Sequence, residues 1–286
     1  MKWVTFQAPS GAIEPGVWLE DGKIAGLAAA GFPDMLSVIA GEAAARERVS
    51  EFLASAPPAA LYDAASVRLL APIPRPRKVI CVGLNYRDHA AESNMQIPDV
   101  PTIFCKFPTA VIGPGAPIVL PKKSTQPDYE AEFAFVIGKG GRYISRERWR
   151  EHVFGYMNLN DVSARDYQRA TTQWLMGKTF DTFCPTGPWI VSAEDIEDPH
   201  QLDVKLILNG EVMQSSNTRE LIFPIPVLIE HLSEVFTLEP GDIVSTGTPA
   251  GVGMARKPPR FLREGDEVVV AVQGLGELRN PVIAER

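Results

Sequence analysis

The chain is poor in the residues that build metal clusters and disulfide frameworks: its 286 residues include three cysteines and four histidines. Cys81, Cys105 and Cys184 are odd in number and widely spaced, which suits reduced, mostly buried thiols rather than a zinc cluster or a disulfide scaffold. Nothing near them in the sequence resembles an activating base, so a cysteine nucleophile is not expected. A positive excess is also absent, since 28 Lys and Arg against 35 Asp and Glu leave a formal charge of -7. That balance argues against a protein built mainly to bind nucleic acid or an anionic membrane. It leaves room for a small anionic substrate, because a site can be locally positive in an acidic protein. No apolar run is long enough to span a bilayer, and MKWVTFQAPSG at the N-terminus lacks the apolar segment of a signal peptide. A cytoplasmic location without a membrane or nucleic-acid partner is the expectation.

Proline is abundant, with 25 residues, in an ordinary balance of 45% hydrophobic and 22% charged positions. This suits many short strands and loops better than a helical bundle. Residues 1–71 read as a small N-terminal α/β module. In it VWLEDGKIAGL sets Asp21-Gly22 between two apolar runs, a hairpin signal, and residues 42–55 carry a helical pattern. The proline-rich APIPRPRKV then forms a stiff connection, and residues 72–286 make the larger domain. Strands are predicted at 79–83, 103–107, 130–137, 156–161, 203–208, 242–246, 267–272 and 278–283, with a second hairpin turn at Asn209-Gly210. Helices are predicted at 87–94, 145–152, 163–172 and 226–235. Their irregular order disfavours a doubly wound sheet or a (β/α)8 barrel and indicates an α+β, β-rich fold.

The segment DYEAEFAFVIG, 128–138, has the composition of a buried strand yet carries Glu130 and Glu132. Alternation puts Tyr129, Ala131, Phe133 and Phe135 on one face and the two glutamates on the other, about 6 to 7 Å apart. Either that face is solvated or something compensates two like charges. Oxygen ligands without a Cys or His cluster suit a hard cation, and Asp161, at the end of YMNLND, is the best third ligand. Beyond it, Ser163 and Asp166 have the spacing of a capped helix start, and Arg165 and Gln168 then share a helical face. Arginine can grip a carboxylate in a bidentate pair. His89 precedes Glu92 by three residues, a spacing at which the carboxylate can orient the ring for proton abstraction. The following NMQIPDVP is suited to a loop over a ligand. Lys106 in IFCKF and Lys178 in LMGKTFD stand among apolar residues and need partners, whereas Lys122 and Lys123 are expected in solvent. TGTPAGVG, 246–253, can bring backbone N–H groups near a ligand but lacks the lysine of a nucleotide-phosphate loop.

In order along the chain, GLNYRDHAAE, FCKFPTAVIGPG, DYEAEFAFVIGK, NDVSARDYQ, LMGKTFDTFCPTGP, NGEVMQ and PGDIVSTGTPAGVG resemble the fumarylacetoacetate hydrolase family, across residues 79 to about 283. The resemblance implies a β-sandwich roll catalytic domain behind a variable N-terminal module, a homodimer, and one Mg2+ or Mn2+ per subunit. Carried onto this sequence, it makes Glu130, Glu132 and Asp161 the metal ligands and His89 with Glu92 the base dyad on a lid. It makes Lys178 a catalytic cation and places Lys106, Arg165, Gln168 and Thr248 around a small anionic 2-oxo acid. The favoured reaction is hydrolysis of the C–C bond of a β-diketo acid, of acylpyruvate or fumarylpyruvate type, to pyruvate and a carboxylic acid through an enolate that the cation stabilises. The alternatives on the same site are oxaloacetate decarboxylation and isomerisation or tautomerisation of a 2-oxo diacid. A non-catalytic metal-binding regulatory protein is the alternative from another class.

Overall fold

Two neighbouring strands, Ala131–Ile137 and Val153–Asn160, are buried along their whole length, as their near-continuous apolar sequences require. A computed structural model, which describes residues 1–286, places them at the centre of a twelve-stranded mixed sheet. From one edge the order runs Leu61–Asp63, Lys23–Gly26, Ile13–Trp18, Lys2–Gln7 and Cys184–Ser192, and then Val153–Asn160 and Ala131–Ile137. It continues through Ile243–Ser245 and Val79–Gly83 to Thr102–Lys106, and two further strands pair off this path, Arg68–Leu70 with Lys2–Gln7 and Val111–Ile112 with Cys184–Ser192. A second sheet of five strands has the order Glu211–Asn217, Asp203–Leu208, Glu267–Val272, Glu277–Ala284 and Ile118–Leu120.

The two sheets pack through the aromatic face of the acidic strand. Phe133, Phe135 and Ile137 lie in one core with Val204, Leu206, Val270 and Leu278 of the second sheet, and Phe133 stacks on Tyr156 at 5.3 Å between ring centroids. The opposite face, carrying Ala134 and Val136, is covered by Val38, Ile39 and Val49 of the helices Met35–Ala40 and Glu42–Ala54. Each such large side chain contributes about 1.5–3 kcal/mol on leaving water, so the strand is clamped from both sides.

The first 71 residues do not form a sheet of their own: Lys2–Gln7 pairs antiparallel with Cys184–Ser192, Trp3 opposite Ile190, so one sheet runs through both parts of the chain. The hairpin at Asn209-Gly210 forms as expected, both residues having positive φ (52° and 84°) and Leu208 pairing with Glu211. The helix predicted at 145–152 is a 3-10 helix, Arg146–His152. The helix predicted at 163–172 shrinks to Arg165–Gln168, because Ser163 and Ala164 pair instead with Pro127 and Asp128. The cap fails for the same reason. The Ser163 hydroxyl donates to the Asp161 carbonyl at 2.8 Å, and the Asp166 carboxylate accepts from Ser124 Oγ and the Thr125 N–H, both at 2.8 Å. No helix is long and apolar enough to cross a membrane.

Candidate active site

Glu130 and Asp161 meet because the chain locks the two strand ends together. The Asp161 N–H donates to the Glu130 carbonyl at 3.0 Å, and the Glu130 N–H donates to Asn160 Oδ1 at 3.1 Å. Glu132 lies farther along, where the segment after Ile243–Ser245 runs beside it: the Thr246 N–H reaches the Phe133 carbonyl and Thr248 Oγ1 the Ala131 carbonyl. One carboxylate oxygen from each of Glu130, Glu132 and Asp161 lies within 4.8 Å of the others, and all three residues are buried. The expected third ligand is therefore beside the other two, and the face is not a solvated one.

Three buried cations surround this cluster. Lys178 Nζ bridges Glu130 Oε2 at 2.7 Å and Asp161 Oδ2 at 2.6 Å. Lys106 Nζ donates to Asp161 Oδ1 at 2.5 Å and to the Val162 carbonyl at 3.0 Å. Arg165 pairs with Glu130 through Nη1 at 2.7 Å, donates to Gln168 Oε1 at 3.0 Å, and pairs with Asp128 through Nε at 2.8 Å. Its Nη2 is buried and has no hydrogen-bond partner.

The glutamates are electrostatically unequal. Burial opposes ionisation of Glu130, but Lys178 and Arg165 outweigh it and hold the carboxyl well below the usual range. Glu132 has no ion-pair partner; Ser245 Oγ and, at 3.0 Å, the Gly247 N–H donate to it. Burial and then the neighbouring Asp161 and Glu130 push its carboxyl well up. Four buried carboxylates (Asp128, Glu130, Glu132, Asp161) thus face three buried cations (Lys106, Arg165, Lys178). The uncompensated charge, its all-oxygen donors and the proximity of the three carboxylates fit a hard divalent cation.

A cavity of ≈ 610 Å³ opens over this cluster. Glu130, Glu132, Arg165 and Lys178 line its inner part, and Gln168 and Thr248 lie in its walls. His89 and Glu92 enter from the helix Arg87–Glu92. Lys106 does not line it; it supports Asp161 from behind. His89 Nδ1 stands 3.4 Å from Glu92 Oε2, and both Glu92 oxygens accept from the Gly251 N–H, at 2.9 and 3.1 Å. Burial works against the Glu92 charge, yet His89 and Gly251 overcome it and lower its pKa. Gly251 has φ +101°, and a Cβ there would come 2.3 Å from the Met213 carbonyl oxygen, so only glycine fits. A cavity of ≈ 560 Å³ between the helix Glu42–Ala54 and the strand Val153–Asn160 contains none of the expected site residues.

Sequence reasoning missed Asp128, which is fully buried and fixes Arg165 while accepting the N–H groups of Gly253 at 2.8 Å and Met254 at 3.0 Å. It stands two residues before Glu130, yet a strand boundary separates them, so alternation along one strand could not reveal it. Ser245 and the Gly247 N–H, the donors to Glu132, were hidden for a similar reason: they come from the strand Ile243–Ser245 and the segment after it, more than 110 residues away.

Residues 78–283 match the family model described as fumarylacetoacetate (FAA) hydrolase C-terminal. A mitochondrial oxaloacetate tautomerase of Rattus norvegicus is 45% identical over 290 residues, which cover 99% of this chain and 92% of the relative. The oxaloacetate tautomerase YisK of Bacillus subtilis is 47% identical over 226 residues, 78% of this chain and 75% of the relative. Among solved structures, a maleylpyruvate hydrolase from Sphingobium sp. SYK-6, in complex with manganese(II) and pyruvate, matches at 33% identity with a TM-score of 0.84 over all of both chains. Together with the β-rich fold and the buried acidic triad, these similarities give one conclusion: the chain belongs to the fumarylacetoacetate hydrolase family.

Proposed function

We propose that this protein is a divalent-cation-dependent enzyme that interconverts the keto and enol forms of a small 2-oxo diacid of the oxaloacetate type. The observation that carries this reading is the charge arrangement around one cavity. A buried triad of carboxylates has an uncompensated Glu132, and beside it Arg165 keeps one buried N–H group unsatisfied. A cation and the carboxylate of a 2-oxo acid together would satisfy both. The names of the relatives at 45% and 47% identity support tautomerisation over the C–C hydrolysis to which the motifs first pointed.

Mg2+ or Mn2+, one per subunit, would be held by Glu130, Glu132 and Asp161 and would supply electrostatic stabilisation of an enolate at the 2-oxo group. Arg165 Nη2 binds the carboxylate at that end of the substrate, and Lys178 adds positive charge at the cavity floor. Glu92, anchored on Gly251, turns the Nδ1–H of His89 toward itself and leaves Nε2 free as the base. Nε2 removes a proton from C3 of the keto form and delivers it to the enolate oxygen; the reverse sequence regenerates the ketone. No atom is lost, as a tautomerisation demands. Residues 1–71 contribute no group to the cavity, and we take them as an accessory module to a catalytic domain of residues 72–286, in a homodimer.

A second reading, hydrolysis of an acylpyruvate, is favoured by the same His89–Glu92 pair, which is equally suited to activating a water. The two separate in one assay. Oxaloacetate enol and keto forms are followed by ultraviolet absorbance while acylpyruvate, pyruvate and carbon dioxide are quantified, each with Mg2+ and Mn2+. Cation-dependent enol–keto interconversion without loss of mass is expected, lost in Glu130→Ala with far-ultraviolet circular dichroism unchanged. Faster release of pyruvate and a carboxylic acid from acylpyruvate would establish hydrolysis instead, and carbon dioxide from oxaloacetate would establish decarboxylation. Cation binding with no turnover of any 2-oxo acid would make the protein a binding module.

A further inference from the structure

Three cationic side chains of lysine or arginine line the catalytic cavity: Arg165, Lys178 and Arg169. The first two are committed to buried carboxylates. Arg169 is exposed, and its guanidinium forms neither an ion pair nor a hydrogen bond with the rest of the chain. Arg165 keeps only its Nη2 for a ligand, so Arg169 is the one of the three whose whole guanidinium is without a partner in the chain.

Its position relative to Arg165 is fixed by the backbone. Arg169 ends the short helix with φ -94° and ψ -4°, still helical, and its N–H donates to the Arg165 carbonyl at 3.1 Å. It therefore stands one turn beyond Arg165 on the same face, about 6 Å farther along the axis. Arg165 is buried at the acidic cluster and Arg169 is at the mouth. Other groups lining the cavity include Thr171, Trp174, Met95 and Phe104, which offer a hydroxyl, an indole N–H and otherwise apolar surface. A substrate whose 2-oxo acid end lies against Glu130, Glu132 and Arg165 would find in Arg169 a guanidinium with no competing partner for its far end.

We propose that Arg169 is the specificity determinant of this site: it receives a second, distal carboxylate and so selects short 2-oxo diacids over 2-oxo monoacids with an apolar tail. The inference deepens the proposed function and rests on its placing of the 2-oxo acid end at the acidic cluster. A guanidinium suits the task because its planar donors can hold a carboxylate bidentately. Its exposure makes the interaction modest and sensitive to salt.

The test uses two ligands that cannot enolise and differ only by a carboxylate in place of a methyl group, 3,3-dimethyloxaloacetate and 3,3-dimethyl-2-oxobutanoate. Their dissociation constants are measured by titration calorimetry with Mg2+ for the wild-type protein, Arg169→Met and Arg169→Lys. The wild type is expected to prefer the diacid by about tenfold. That ratio should collapse to within about twofold in Arg169→Met, recover in part in Arg169→Lys, and shrink in the wild type as ionic strength rises. An Arg169→Met protein that keeps the wild-type ratio, or weakens both ligands equally, overturns the proposal. A wild type that binds neither ligand sinks the 2-oxo acid reading and this inference together. A wild type that tautomerises oxaloacetate but binds the two ligands equally sinks only the role of Arg169.

Discussion

Replacing Asp128 by asparagine probes the group that holds Arg165 in place. The buried carboxylate takes four donors: Arg165 Nε at 2.8 Å and the Met254 N–H at 3.0 Å on one oxygen, the Gly253 N–H at 2.8 Å and the Tyr129 N–H at 2.9 Å on the other. An asparagine keeps the shape but turns one oxygen into a donor, so two of the four are left facing an amide N–H. At about 1–3 kcal/mol for each unsatisfied buried donor, the two come to about 2–6 kcal/mol, and the lost charge beside Arg165 adds to it. For a chain of 286 residues, at about 2.1 cal/mol/K of unfolding entropy per residue, the donors alone lower the melting temperature by roughly 3–10 °C. Urea unfolding at neutral pH reads the stability, and steady-state kinetics on oxaloacetate read the second consequence, a raised KM as Arg165 loses its anchor. A destabilisation below about 0.5 kcal/mol with unchanged KM would show that Asp128 neither supports the fold nor positions Arg165.

Glu130→Gln strips Lys178 and Arg165 of a buried partner and should cost the cation-free protein about 3–5 kcal/mol, whereas Glu132→Gln, which loses only the Ser245 and Gly247 contacts, should cost about 1 kcal/mol or less. Both should abolish the melting-temperature rise on adding Mg2+, and equal costs in cation-free protein would refute the unequal pairing. Gly247→Ala should lose about 1–3 kcal/mol in urea unfolding, because φ is +98° and a Cβ would sit 2.9 Å from Asn85 Cβ; a loss under 0.5 kcal/mol, about the error of such a measurement, would contradict the packing. His200 accepts the Ile225 N–H at Nε2, 3.2 Å away, and burial lowers its pKa despite Asp198. The unfolded chain therefore binds the proton first, so stability falls as pH drops below the unfolded value of about 6.5 toward the lowered folded one. His200→Gln should flatten that slope in urea titrations across the window, and an unchanged slope would remove His200 as its source.

The strands that position the site were readable because each is a short apolar run between turn residues. Val79–Gly83, Asp203–Leu208 and Glu267–Val272 fall where alternation and burial place them. What local pattern could not supply was long-range pairing. Lys2–Gln7 joins Cys184–Ser192 across some 180 residues of chain, and Ser163–Ala164 becomes a strand only because Pro127–Asp128 lies opposite. The helix start at Ser163 had the right residues for a capping box, and the tertiary pairing overrode it.

In the site, the acidic strand was legible as a fault in an otherwise apolar segment, and Lys106 and Lys178 as charges among apolar neighbours. Both kinds of fault point to a partner without naming it. Asp161 was found because it also ends an apolar strand; Asp128 was not, because nothing about its own neighbourhood is anomalous. The unequal surroundings of Glu130 and Glu132 have the same origin. Alternation makes the two equivalent, and their difference comes from segments distant in sequence: Arg165 and Lys178 converge on one glutamate, while the other meets only a hydroxyl and a backbone N–H. The protein thus neutralises Glu130 from within and leaves Glu132 to a charge from outside, which ties the acidic face to ligand binding rather than to the stability of the empty fold.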